Sequence, residues 1–533
     1  MFELAGSLIA VCCALLLSVA AANSVGVMQQ CGYKNGGYWR WLRRKDNLFY
    51  NRLSVLALML ALATTVVSLC FSFLDYAWSL GLAAATYALL CLLFILASKK
   101  YALKVKTKRT GRAVRLFVLF CLLNIALAVG AFWGLWALAK WNGSEIYSLI
   151  AYAPLALLPI CLPSTLIIAN AITGVFENAR NRKFVKRAGQ VLDETEIIRV
   201  GIVGSYGKTS VKNVLKTILS EKYSVVETPE SYNTPMGIAK TVFSSEFANK
   251  QVFIAEMGAR RKGDISELCA LVKPDYAIFT GVCEQHIATF ESLDAVWLEK
   301  SEILKNTAKK TVCGKSLRAR IENGAFDEEK ITYACVAENI SFGATETEFI
   351  LNMDGESARA KTRLLGNAAV ENIALAATLA KELGLNAEEI ARGISKLQSI
   401  PHRLELIEQN GVYILDDGYN CNPIGAREAL AALCRFGGGK CIVTPGIVEC
   451  GVLEEKINEA LGEDIAKAGL DKVLLVGDTL VGAVKRGYVA AGGDEAKLTV
   501  VKTLDLAQAE LSKWLKAGDC VLFMNDLPDV YLP

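Results

Sequence analysis

The hydrophobic pattern divides the chain near residue 172. Before that point apolar residues come in long runs, over residues 4–27, 53–74, 79–97, 116–138 and 148–172. Each is close to the ~20 residues that a helix needs to cross ~30 Å of hydrocarbon, so five membrane spans are predicted. Only Glu3 is charged ahead of the first run. Lacking a basic leader, that run reads as a retained helix rather than a cleaved signal. The last run carries Pro154, Pro159 and Pro163, which predicts a kinked or partly re-entrant span. From residue 190 the pattern changes. Short apolar strands over 197–203, 252–256 and 276–280 alternate with helical patterns over 211–219, 265–271 and 293–304. Such alternation predicts a doubly wound parallel sheet. Residues 331–364 read as a small polar, strand-rich region and 369–383 as a helix. A second α/β unit starts near residue 401, with strands over 412–415, 441–444, 473–476 and 520–524. The predicted regions are therefore 1–190, 191–400 and 401–533.

Charge gives the first region an orientation. Lys34, Arg40, Arg43, Arg44, Lys45 and Arg52 lie between the first two runs. Eight more basic residues, from Lys99 to Arg115, lie between the third and fourth, and Arg180, Arg182, Lys183, Lys186 and Arg187 follow the fifth. The alternate loops, 75–78 and 139–147, hold one lysine between them. Basic loops stay inside, so a multi-pass protein of the plasma membrane is expected, with its N-terminus outside and everything after residue 172 in the cytosol. Composition agrees: the 533 residues are 53% hydrophobic, with a mean hydropathy of +0.33. A net charge of +4 suggests no nucleic-acid partner. The 16 cysteines form no C-x-x-C pair, so neither a zinc site nor a disulfide framework is expected.

The chemistry gathers at GIVGSYGKTS, residues 201–210. A strand runs into a glycine turn and a helix follows. Gly204 and Gly207 let successive N–H groups face one anion, and the helix start adds positive charge. Lys208 can reach nucleotide phosphates and Thr209 can ligate Mg²⁺. A strict P-loop has glycine where this chain has Ile202, so the pattern is the variant G-x-x-G-x-x-G-K-T. The fold class is then a membrane helical region followed by a P-loop-type parallel-sheet ATPase domain and a smaller Rossmann-like domain. Four further stretches are unusual: Glu256-Met-Gly-Ala-Arg260 at a strand end, Gln285-His286, Lys300 with Glu302, and Asp416 to Pro423 (DDGYNCNP). Each has a plain reading beside the functional one. His286, one of two histidines, is by itself more often structural, and Lys300 by itself reads as a solvated helix face.

Together these stretches resemble the Mur ligase family. SYNTPMG (231–237), AEMGARRKGDISEL (255–268), EKSEI (299–303), LLGNAAVEN (364–372), PHRLE (401–405) and DDGYNCNP (416–423) occur in the family's order with the glycine loop. The resemblance implies ATP-dependent amide-bond formation through an acyl phosphate, in peptidoglycan precursor synthesis. It implies that Gly204, Ser205, Gly207, Lys208, Thr209 and Ser210 hold ATP, with Asn372, Arg403 and Asp417 at the nucleotide. Thr209, Glu256 and His286 become Mg²⁺ ligands, with two ion sites, and Lys300 becomes a candidate for carbamylation. Lys208, His286 and Lys300 are the catalytic candidates. Asn233 and Thr234 face the acyl substrate, and Tyr419, Asn420 and Asn422 belong to the segment that closes over ATP and the amine.

Three departures stand out. Tyr206 replaces a small polar residue, Ala368-Ala369 replace a His-Asn pair, and the C-terminal GDCVLFMNDLPD lacks the usual ending. The largest departure is the membrane region, which stands where the family has a domain for the UDP end of the substrate. The expected partners are therefore an amine, D-alanyl-D-alanine or similar, and a peptidyl or lipid-linked carboxylate, with other cell-wall enzymes as neighbours. The competing readings are a Mur-type ligase for another substrate and a membrane transporter or scaffold with an ATP-binding regulatory domain. The spans carry no charge near their centres, which disfavours transport.

Overall fold

In the computed structural model the described residues are 2–43, isolated positions between 59 and 70, 76–100, 107–141, 155, 157–229, 232–283, 290, 292–353, 355–418, 422–448, 450 and 453–524. The chain separates into two compact units, Met1–Asn181 and Arg182–Leu532.

The first unit is helical: α1 Phe2–Ala20, α2 Ala22–Gln30, α3 Asn35–Leu42, α4 Tyr76–Lys100, α5 Gly111–Trp141 and the start of α6, Leu158–Glu194. Among the described residues three helices are long and apolar enough to cross a membrane: Glu3–Ala20, Gly111–Leu138 and Leu158–Glu194. The apolar stretch of α4, Ala84–Leu96, is shorter. The predicted run over 53–74 lies largely outside the described residues. The first predicted span is two helices that break at Ala21 (φ −84°, ψ 7°), where the polar pair Asn23-Ser24 weakens the helix. The last span differs from expectation as well. From Leu158 onward it is one continuous helix with Pro163 inside it, and Pro159 sits in the first turn, where the missing N–H has no intrahelical use. The start of that run, 148–154, lies outside the described residues. Inside the bundle a buried polar chain crosses three helices. Asn124 Nδ2 donates to Ser18 Oγ at 3.0 Å, and Thr165 Oγ1 donates to Asn124 Oδ1 at 2.8 Å. Such bonds fix helix register where there is no water to compete.

In the second unit a six-stranded all-parallel sheet has the order β2-β3-β1-β4-β5-β6. Its strands are β1 Ile198–Val203, β2 Val225–Glu227, β3 Val252–Glu256, β4 Tyr276–Phe279, β5 Lys310–Cys313 and β6 Ile331–Tyr333. One face carries Phe184, Ala188 and Leu192 from the end of α6. The other carries α7 Lys208–Leu219 and α12 Asn367–Glu382. The intervening helices are α8 Pro235–Val242, α9 Asp264–Val272, α10 Leu293–Lys300 and α11 Glu302–Asn306. Of the polar 331–364 region, Ile331–Tyr333 joins the parallel sheet as β6, and the rest is an antiparallel sheet, β7 Val336–Phe342, β8 Thr347–Met353 and β9 Glu356–Thr362. Alternate residues of β8 are buried, and Phe349, Leu351 and Met353 cover the helical layer.

A second six-stranded sheet, β10-β11-β15-β12-β13-β14, is parallel except for its edge strand β10. It comprises β10 Glu405–Gln409, β11 Val412–Asp417, β12 Lys440–Thr444, β13 Lys472–Val476, β14 Leu498–Val501 and β15 Cys520–Met524. Helix α13, Pro423–Leu433, starts directly after its cap residue Asn422.

Candidate active site

The site is built where β1, β3 and β4 end, on both sides of the point at which the strand order reverses. β1 delivers the chain into Gly204-Ser205-Tyr206-Gly207, and α7 starts at Lys208. Both flanking glycines are required by close approach. A Cβ at residue 204 would lie 1.9 Å from Thr280 Oγ1, and one at Gly207 (φ +73°) would lie 2.6 Å from Asn372 Oδ1. Gly207 is the N-cap of α7 and supplies no side-chain cap, and among the described residues no side chain accepts from the first-turn amides. Ser205 is buried and its Oγ has no hydrogen-bond partner among the described residues. An uncapped helix start beside an orphaned buried hydroxyl fits an anion.

Two lysines converge on this loop. Lys208 Nζ donates to the Gly204 carbonyl at 2.8 Å, and Lys300 Nζ donates to the same oxygen at 2.9 Å. Lys300 is 1% exposed, at the end of α10. Burial, and then the neighbouring Lys208 charge, push its pKa down to about 7. Burial also lowers Lys208, with Arg403 adding repulsion and Glu256 opposing it. The solvated-face reading of Lys300 is thus overturned: α10 buries Glu299 and Lys300 as well as Val296 and Trp297.

The acid at the end of β3 is equally enclosed. Glu256 is 2% exposed; its Oε2 accepts from Thr209 Oγ1 at 2.9 Å and its Oε1 from Asn233 Nδ2 at 3.2 Å. Lys212, one turn after Lys208 on α7, lies 3.4 Å from Glu256 Oε2 and donates to the Thr228 carbonyl at 2.7 Å. Sequence reasoning passed over Lys212 and Thr228; the i,i+4 spacing of the two lysines was the available signal. Thr209 and Glu256 are the hard oxygen donors that Mg²⁺ takes, and they are already in contact.

Tyr206 has its own housing. Its carbonyl accepts from Thr280 Oγ1 at 2.5 Å, and its phenol bonds Ser316. The ring lies over Gly281, where a Cβ would come within 2.2 Å of the hydroxyl. A glycine after β4 therefore makes room for the bulky residue in the loop.

The C-terminal sheet brings its own residues to the loop. Arg403 is close enough to act electrostatically on both Lys208 and Asp417. Asp417, at the end of β11, accepts from Leu404 N at 3.1 Å, and burial raises its pKa to about 6 against the pull of that bond and of Arg403. His402 pairs with Asp416 at 2.8 Å, and its N–H donates to Glu405 at 3.2 Å. Their ligand atoms lie within 4.8 Å of one another, among the described residues the one group of three that could hold a metal ion. Asn372 faces the loop from α12, whereas Ala368 and Ala369 lie in its first turn.

Two substrate candidates carry structural duties. Thr234 caps α8 by accepting from Gly237 N, and Asn422 caps α13 by accepting from Ile424 N and Gly425 N. Ser210 is in the first turn of α7. His286, Tyr419 and Asn420 lie outside the described residues.

The pattern of the Mur ligase middle domain matches residues 202–380, and that of the Mur ligase glutamate ligase domain matches residues 402–526. The UDP-N-acetylmuramoyl-tripeptide--D-alanyl-D-alanine ligase of Borreliella burgdorferi is 28% identical over 305 residues, which are 55% of this chain and 64% of that protein. The ligase of the same name from Bacillus subtilis is 27% identical over 333 residues, 61% of this chain and 72% of its own. The chain thus spans roughly two thirds of the length of these relatives. In fold it is similar to MurF from Acinetobacter baumannii (TM-score 0.60, 22% identity, 66% of this chain and 78% of that one). The MurF ligase from Thermotoga maritima in complex with ADP gives a TM-score of 0.58 at 24% identity, over 66% of this chain and 81% of its own.

Proposed function

From residue 202 to residue 526 the chain belongs to the Mur ligase family, and on that premise we propose that it is an ATP-dependent amide ligase of peptidoglycan precursor synthesis. The reaction has two steps. An acceptor carboxylate attacks the γ-phosphorus of ATP, ADP leaves, and an acyl phosphate remains. An amine then attacks the acyl carbon, phosphate leaves, and the amine proton passes to solvent. Both steps gather negative charge on oxygen, so the site needs cations and N–H donors more than a nucleophile of its own. Lys208, Ser205 and the amides of the Gly204–Gly207 turn hold the phosphates. Arg403, Asp417 and Asn372 hold the nucleotide from the opposite side. Thr209 and Glu256 would hold Mg²⁺, which neutralises phosphate charge when bound. His286 and a carbamylated Lys300 are the proposed ligands of a second ion.

Support for carbamylation is the burial of Lys300. A pKa of about 7 leaves a large share of neutral amine at neutral pH. The free amine adds to the carbon of CO₂, forming an N–C bond and releasing one proton, so a cation becomes an anionic oxygen ligand. The acyl acceptor is a muramoyl-peptide-type carboxylate and the amine is D-alanyl-D-alanine or a close analogue, the substrates in the names of the relatives.

The apolar helices α1, α5 and α6 and the basic loops between the runs support a multi-pass membrane region with the ligase part in the cytosol. That region stands where the family carries its UDP-binding domain, so we place the acceptor at the membrane, linked to lipid. The convergence of Lys208 and Lys300 on one carbonyl beside the Thr209–Glu256 pair is the observation that carries the ligase reading. Its test is a ligation assay with purified full chain, ATP and a panel of amines and carboxylates. Phosphate release that needs both a carboxylate and an amine supports the ligase. ATP turnover indifferent to both favours a regulatory ATP-binding domain instead.

A further inference from the structure

Resting on the reading that Met1–Asn181 lies in a bilayer, we propose that the basic end of α5 and α6 binds the phosphate headgroup of an anionic lipid. Three arginines crowd there around one acid. Arg115 meets Glu177 Oε1 through Nε at 2.7 Å, and Arg180 meets Glu177 Oε2 at 2.5 Å. The guanidinium of Arg112 lies 3.8 Å from the centroid of the Tyr33 ring and acts electrostatically on the same patch. Three cations against one carboxylate leave an excess of two, and Lys108 and Arg109 stand just before α5.

Beside this charge the structure leaves polar atoms buried and unused. Among the described residues Arg112 Nε and the Tyr33 hydroxyl have no hydrogen-bond partner, and neither has the Oδ1 of Asn170, which is 4% exposed. The three are linked through Tyr33, because Asn170 Nδ2 donates to the Tyr33 carbonyl at 2.9 Å. Two orphaned donors and one orphaned acceptor match a phosphate that also bears a hydroxyl. Burying them unpaired costs roughly 1–3 kcal/mol each, which argues that something supplies the missing bonds. The adjoining surface is apolar: Val175 and Phe176, next to Glu177 on α6, are 68% and 73% exposed. A charged pocket bordered by exposed apolar side chains suits an amphiphile whose phosphate meets the arginines while its chain lies along the helix. The phosphate can come from a phospholipid or from a polyprenyl-phosphate-linked molecule.

The test is lipid titration of the purified full chain in neutral detergent, read by native mass spectrometry. The probes are phosphatidylglycerol, a polyprenyl monophosphate, phosphatidylcholine and inorganic phosphate. Either anionic lipid should bind at least about tenfold more tightly than phosphatidylcholine, and the tighter of the two identifies the source. Arg112→Gln and Arg180→Gln should each weaken that binding about fivefold. Glu177→Gln separates a ligand site from a mere interhelical clamp. A ligand site gains anionic-lipid affinity when the competing carboxylate goes, and a clamp does not. Equal binding of neutral and anionic lipid, no gain in Glu177→Gln, or full displacement by inorganic phosphate would overturn the proposal. Membrane insertion is measured separately by alkaline extraction of the wild type. A chain that extracts as soluble sinks the bilayer reading, while one that stays inserted without headgroup preference sinks only the lipid site.

Discussion

Lys300 is buried beside a second lysine, and these two effects outweigh the Gly204 carbonyl and the Glu299 carboxylate that favour its charge. Its pKa of about 7 stands far below the 10.5 of the open chain. Between those values the unfolded chain binds the extra proton, so this group's burial destabilises the fold most at and below neutral pH, and stability rises as pH climbs from about 7. Carbamylation follows the free amine in the same direction. Activity at limiting bicarbonate should therefore rise through pH 7, as a pH–rate profile would show, and Lys300→Ala should lose at least about tenfold and the bicarbonate response with it. Lys208→Ala should remove ATP turnover, by about 100-fold or more in kcat, while the membrane region still inserts. At Tyr206 the prediction is a pair. Gly281→Ala pushes a methyl into the ring and should depress ligation, and adding Tyr206→Asn should restore it. Failure of the double variant to recover would show that the ring does more than occupy space.

Helix α7 binds the site together, because Lys208 and Lys212 face it from successive turns. Lys212→Ala would strand the buried Glu256 carboxylate, and a loss of about 3–5 kcal/mol is expected in denaturant unfolding. β11 ends in Asp417, whose pKa of about 6 lies above its usual 3.8. Over that window the native state keeps a proton that the unfolded state has lost, so this group's contribution to stability falls as pH rises. Its acceptor role needs the carboxylate, so ligation should drop below pH 6, and Asp417→Asn should flatten that acid limb. Elements with a clear period were legible in the sequence. The strands that begin at Val252 and Tyr276 and the helix around residues 369–383 are where the pattern places them. The antiparallel edge strand β10 was missed, because its two apolar residues, Leu406 and Ile407, are adjacent and give no alternation. α10 misled for the opposite reason. Glu299 looks solvent-facing in sequence, but its carboxylate takes the N–H groups of Gly263 and Ile265 at the start of α9, a tertiary duty that no local pattern announces.

For the whole molecule, the order of ordinary-looking motifs said more than any one of them. The loop and Glu256 are far apart in sequence, and the parallel sheet gathers them because its strands end on one side, while Arg403 comes from the segment before the second sheet. Lys212 and the pairing of Tyr206 with Gly281 stayed hidden, since each depends on which side chains meet across the fold. The proposed membrane placement of the apolar helices makes a prediction at this scale. If the acceptor is lipid-linked, the full chain in mixed micelles should ligate a lipid-linked muramoyl peptide about tenfold or more faster than a soluble UDP-linked one at equal concentration. Equal rates would leave the helices as an anchor alone.

The shared carbonyl of Gly204 has a calorimetric consequence. A polyanion arriving at the loop strengthens the hold of Lys300 on its proton, so nucleotide binding above pH 7 becomes a proton-uptake reaction. The observed enthalpy should then change with the ionisation heat of the buffer, and affinity should weaken as the solution becomes more alkaline. Saturating bicarbonate should erase that buffer dependence, because a carbamate has no such proton to gain. The proton count of binding therefore reports the chemical state of one buried side chain without any turnover.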